Sequence, residues 1–151
     1  MFTTNLKPSG TIATFATFRV SGDRLDPDRV SDILATRPTT AYRKGEPYFA
    51  GSRTGYILGR TGLWYLSTKG LVPVPDAAEH LTYLIRLVYG SSEDLRQVTE
   101  LRELMDRDGL EASASLFWHG GPGAQEPAIP QSVERTIEAI PAQFERDFDK
   151  D

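Results

Sequence analysis

The chain has 151 residues, of which 25% are charged and 10% aromatic, with a formal net charge of -4; this profile fits a folded globular protein burying about two-thirds of its unfolded surface. No apolar run approaches the ~18 residues of a membrane-spanning helix, and Met1 to Gly10 lacks the apolar core of a signal peptide, so we expect no membrane segment and a cytoplasmic location. The absence of cysteine excludes disulfides, thiolate nucleophiles and cysteine-bound zinc together.

Residues 1–10 read as a tail and 11–151 as one α+β domain. Thr11 to Val20 alternates, with Ile12, Thr14, Ala16, Phe18 and Val20 on one side and Phe15, Thr17 and Arg19 on the other, which predicts a strand with one buried face. Asp26 is placed to cap a helix, Pro27 suits its first position, and Leu25 can staple against Val30. Val30, Ile33 and Leu34 form the buried stripe of that helix, which Arg37-Pro38 ends.

Between Pro38 and Gly62 regular patterning gives way to Gly, Pro, Thr, Tyr and Arg. Tyr56-Ile57-Leu58 and Leu63 to Ser67 read as a hairpin around Gly59-Arg60-Thr61-Gly62. Asp76 with Glu79 resembles a capping box before Leu81, Leu84, Ile85 and Val88, and Gly90 closes that helix. Ser91 or Ser92 can cap a further helix, with Leu95, Val98, Leu101 and Met105 inward and Gly109 at its end. Leu110 to Trp118 alternates again, Gln131 to Ile140 reads as a helix stopped by Pro141, and Phe144, Arg146 and Phe148 mark a last strand.

The resulting order predicts a ferredoxin-like, split βαβ antiparallel sheet with helices on one face and a C-terminal αβ extension. In that arrangement we expect the strands starting near Thr11 and Leu110 to lie side by side and parallel.

Charge is unevenly distributed. Residues 37–70 hold six basic residues (Arg37, Arg43, Lys44, Arg53, Arg60 and Lys69) against Glu46 alone, whereas residues 71–151 hold sixteen acidic against seven basic. The acidic total argues against general nucleic-acid binding. Tyr42, Arg43, Lys44, Tyr48, Arg53 and Arg60 therefore form the candidate binding set, because guanidinium groups grip anions bidentately and tyrosines offer rigid contact area. A solvated loop over a sheet face accounts for the same residues.

Phe18-Arg19-Val20, Gly22-Asp23, Leu25-Asp26-Pro27, Pro38-Thr39, Tyr42-Arg43-Lys44-Gly45, Gly62-Leu63-Trp64, Glu79-His80-Leu81 and Leu116-Phe117-Trp118 together resemble the bacterial family catalogued as domain of unknown function 4279, over about Thr11 to Phe148. The resemblance implies a small bacterial cytoplasmic protein, of the immunity type or another protein-binding kind, and supplies no catalytic residues.

Apparent catalytic signals are incomplete. His119-Gly120-Gly121-Pro122-Gly123 is similar to the oxyanion loop of α/β-hydrolases related to proline iminopeptidase, yet only Ser132 follows, without an elbow or a later histidine. Asp23, Asp26, Asp28 and Asp32 lack calcium-loop spacing, and capping or dipole roles account for Asp26 and Asp28. His80 and His119 form no zinc motif, and His80 reads as a boundary residue of its helix. No phosphate-binding glycine motif occurs. We therefore expect no metal, cofactor or catalytic set. The expected role is binding a protein partner, as an immunity-type inhibitor of a toxin. The alternatives are a small-ligand or anion sensor using the basic aromatic loop, and an enzyme in which Asp23, Arg43 and His119 converge.

Overall fold

The computed structural model describes residues 10–48, 57–90 and 95–151; residues 1–9 of the expected tail lie outside that range. Strand β1 spans Thr11–Gly22 and is followed by helix α1, Pro27–Leu34. Then come β2 (Thr40–Tyr42), β3 (Pro47–Tyr48), β4 (Ile57–Leu58), β5 (Gly62–Ser67), α2 (Ala77–Tyr89), α3 (Arg96–Asp108), β6 (Glu111–Gly120), α4 (Gln131–Glu138) and β7 (Ala142–Lys150). Five strands form one sheet in the order β2-β5-β1-β6-β7, while β3 and β4 form a separate pair. The fold is thus mixed α and β, with a five-stranded sheet and four helices among the described residues.

The central strand β1 runs antiparallel to both neighbours, and β2 runs antiparallel to β5. It follows that β1 and β2 share one direction with β5 between them. The strands expected to start near Thr11 and Leu110, β1 and β6, are neighbours, but they are antiparallel, with Ser21 opposite Glu111 and Thr11 opposite Gly120. Connection length decides this. Helices α2 and α3 carry the chain back across the molecule between β5 and β6, so β6 starts where β5 started and opposes β1. Helix α4 makes the second crossover, and β7 is accordingly parallel to β6.

Local expectations are corrected as well. β4 does not pair with β5; it pairs with β3, Pro47 opposite Leu58 and Tyr48 opposite Ile57. Both edges of β5 are occupied, by β1 on one side and by the short β2 on the other. Ile12, on the inward phase of the alternation, is 56% exposed because the β1–β6 register slips between Thr11 and Ala13.

The core lies on the face carrying Ala16, Phe18, Val20, Trp64, Leu66, Ala114 and Leu116, packed with the stripes of the helices. Ile33, Leu34, Leu81, Leu84, Val88 and Leu101 are buried as expected, while Ile85 is only half-buried. Leu95 is exposed, not inward, because it occupies the N-cap position of α3 with φ 56°; Ser91 and Ser92 lie outside the described residues. Phe18 meets Trp64 edge to face at 6.4 Å. Each tryptophan finds a partner for its buried N–H, Trp64 donating to Ser31 Oγ at 3.0 Å and Trp118 to Thr11 Oγ1 at 2.9 Å.

His80 is buried at 2% exposure, which overturns its boundary placement. Its ring is held between Thr68 Oγ1 at Nδ1 (2.5 Å) and the Val74 carbonyl at Nε2 (2.8 Å). A carbonyl can only accept, so Nε2 carries the proton. Thr68 Oγ1 in turn accepts the Ala16 N–H at 2.8 Å, and the Thr68 N–H donates to Ala16 O at 2.9 Å. This chain of bonds ties the loop after β5 to the central strand.

Leu84→Ala is expected to cost about 2–5 kcal/mol through lost transfer energy and a residual cavity, measured as a lower denaturation midpoint. An unchanged midpoint would contradict the packing of Leu84 in the core.

Candidate functional site

The candidate site begins at the β1–α1 junction. Leu25 is buried and its N–H bonds back to Gly22 O at 3.2 Å, turning the chain. Gly62 lies against this turn, where a Cβ would approach Gly22 O to 2.8 Å and Leu25 Cβ to 2.7 Å, so the junction and β5 meet only without a side chain there. Asp26 caps α1, its Oδ1 accepting the Asp28 N–H at 3.1 Å.

Opposite it, the basic loop leaves β2 in a tight turn. Glu46 Oε1 accepts the Arg43 N–H at 2.8 Å, and Arg43 O accepts the Glu46 N–H at 3.0 Å. Gly45, at φ +80°, donates to Gly59 O at 2.8 Å, and Gly59 donates to Glu46 O at 3.0 Å. The turn is thereby joined to the end of the β3–β4 pair. Tyr42 is half-buried with its ring over Gly59, where a Cβ would come within 2.6 Å of Cδ1.

The charges of the loop are already engaged. Arg43 Nη2 donates to Asp26 Oδ1 at 2.7 Å and to Asp28 Oδ2 at 3.2 Å, and Nη1 lies 3.7 Å from Glu46 Oε2. Lys44 Nζ lies 3.0 Å from Asp23 Oδ2. Two cations therefore face four carboxylates. The Lys44 hydrogen bond, with one from Thr61 and the Lys44 charge, holds the Asp23 carboxyl below its ordinary range. Hydrogen bonding to Asp28 and the charge of Asp26 raise the Arg43 guanidinium further. Exposed pairs of this kind individually contribute little to stability, but they set the loop's position.

Of the remaining candidates, Tyr48 lies in β3, Arg60 is exposed between β4 and β5, and Arg53 lies outside the described residues. Asp23, Arg43 and His119 do not converge. Asp23 and Arg43 stand beyond the Gly22 end of β1, whereas His119 pairs opposite Ala13, on the order of 30 Å away along the strand.

Tyr42 apart, the residues gathered on the open sheet face are not in the candidate set drawn from the sequence. Tyr42, Leu63, Tyr65, Arg19, Thr17, Ser115, Phe15 and Phe117 share the sheet face opposite the core, by register. There Phe15 and Phe117 stack at 4.9 Å and 23°, with Lys69 Nζ 5.8 Å above Phe15, while Arg19 lies 5.9 Å over Tyr65. Thr17 and Ser115 share a 2.6 Å hydrogen bond between the two aromatic groups. The available signal was a phenylalanine on the polar phase of two alternating strands. Beside this pair opens a groove of about 470 Å³ lined chiefly by Ala13, Phe15, Lys69, Pro73, Val74 and Phe117. Among the described residues no group of acidic or histidine side chains is placed to hold a metal ion, and no helix is long and apolar enough to cross a membrane.

A family model described as domain of unknown function (DUF4279) matches residues 12–150. The chain belongs to that family. No curated protein and no solved structure matches it. The family match covers both the ion-paired junction and the open sheet face.

At the far end of this DUF4279 domain, His119 Nε2 lies 2.9 Å from Asp151 Oδ1. The hydrogen bond to Asp151 raises the imidazole above its ordinary value, assisted by the charges of Asp151 and Asp149 against partial desolvation. A raised folded-state value means that the pair stabilises the fold fully below the unfolded value of about 6.5 and loses that contribution as pH rises through the folded value. We expect an NMR titration of His119 to show the raised value, and Asp151→Asn to lower it; an unshifted titration in both proteins would rule the pair out in solution.

Proposed function

We propose that this protein is a non-catalytic binding module whose partner is another protein, contacted through the open sheet face and the adjoining Tyr42 loop. The observation that carries this reading is the Phe15–Phe117 stack, two aromatic rings held on rigid neighbouring strands on the face away from the core. Aromatic side chains, phenylalanine among them, are enriched at protein interfaces, and rings fixed on paired strands supply contact area at low entropic cost. On this reading Tyr42, which shares that face, and the neighbouring ion-paired Arg43 and Lys44 belong to the rim of the footprint, and Tyr48, Arg53 and Arg60 stay candidates from the sequence alone, Arg53 lying outside the described residues. In the immunity-type form of this reading the partner is a toxin, and binding covers its active site. Freedom from cysteine suits a reducing cytoplasm.

The strand order β2-β5-β1-β6, with α1 joining β1 to β2 and α2-α3 joining β5 to β6, supports reading this part as a split βαβ, ferredoxin-like unit. Helix α4 and β7 extend it. Anion sensing through Arg43 and Lys44 is less well supported, because an anion would compete with Asp23, Asp26 and Asp28 for the same donors.

The test is affinity capture from the native host with wild type and Phe15→Ser/Phe117→Ser in parallel, followed by calorimetry on the captured partner. A partner retained by wild type and weakened at least about tenfold by the double variant supports the reading, and inhibition of that partner's activity supports the immunity form. Equal affinity for a folded double variant removes the open face from the footprint. Arg43→Gln/Lys44→Gln, compared in the same way, reports on the rim.

A further inference from the structure

β7 ends the five-stranded sheet. Its inner edge pairs with β6 without interruption from Ala142 to Lys150, and among the described residues no strand lies on its outer edge. In a parallel ladder alternate residues turn their N–H and C=O groups away from the inner neighbour, so a row of donors and acceptors faces outward. Nine residues is long for such an edge, and proteins normally blunt one with proline, a bulge or charge. Ala142 to Lys150 contains neither a proline nor a break in register. Charge is the remaining device, and it is sorted by face.

Arg146 turns toward α4 and pairs with Glu134, on the side where Phe148 packs against Trp118. Glu145, Asp147 and Asp149 occupy the opposite face, beside Ser115, Phe117 and His119 of β6. All three are exposed, and among the described residues neither Glu145 nor Asp147 forms an ion pair. The open edge thus displays carboxylates at every second position beside backbone that no described strand pairs.

We propose that the outer edge of β7 docks an extended segment of a partner protein, which joins the sheet as a further strand and carries Lys or Arg at alternate positions beside Glu145, Asp147 and Asp149. Backbone hydrogen bonds supply the pairing and the carboxylate row selects the sequence. A second copy of this chain is a poor occupant. Antiparallel pairing of β7 with itself sets acidic residues against acidic residues, and like charges directly across strands repel. The proposal deepens the protein-binding reading but uses neither Phe15 nor Phe117, so the two can fail separately.

The probe is a nine-residue peptide with Lys at alternate positions and Val or Thr between, titrated into the full chain with calorimetry and amide hydrogen exchange. The expected result is protection of alternate β7 amides on binding, and at least about tenfold weaker affinity for Glu145→Lys/Asp147→Lys. A control peptide of equal charge, with proline at two of the bonding positions, should lose binding to the wild-type protein. Equal affinity for the proline peptide would reduce the effect to charge attraction and overturn the proposal. So would absence of binding at millimolar peptide, perturbation confined to Phe15 and Phe117, or protection of β7 by self-association without peptide.

Discussion

Everything in this fold depends on β1 being hydrogen-bonded along both edges. With β5 on one side and β6 on the other, both antiparallel, the strand cannot rotate, and its alternate residues are committed to opposite faces. Phe18, Val20 and Ala16 then require helices over them, and Phe15, Thr17 and Arg19 are turned to the other side. One constraint on backbone pairing creates both the core and the surface proposed for binding.

The ends of β1 are treated differently. Beyond Gly22 the chain turns into a helix capped by Asp26, and the acidic groups gathered there draw in Arg43 and Lys44. A helix N-terminus favours carboxylates, and those carboxylates then fix the basic loop. Toward the other end β5 stops at Ser67, and the Thr68 hydroxyl takes over from a strand by bonding the Ala16 amide while engaging His80. A buried imidazole is stable there because each of its nitrogens has a partner.

Electrostatic sorting follows the same geometry. The basic excess of residues 37–70 looks like a free cationic surface in one dimension, yet in three dimensions its Arg43 and Lys44 meet the Asp residues of a segment some twenty positions earlier. Within the acidic stretch 71–151, the pleat of β7 sends Glu145, Asp147 and Asp149 to one face and Arg146 to the other. Net charge described neither outcome.

The sequence by itself determined the local elements: the alternation of β1 and β6, the Asp26-Pro27 and Asp76 helix starts, the α2 stripe of Leu81, Leu84 and Val88, and α4 with β7 after it. These rest on periodicity and capping, which act over a few residues. Tertiary structure alone decided strand direction, the pairing of β4 with β3, the exposure of Ile12 and Leu95, the burial of His80, and the neutralisation of Arg43 by Asp26 and Asp28. Each of these depends on a partner distant in sequence or on a shift in register, and the chemistry of a residue becomes legible only when its neighbours across the sheet are known.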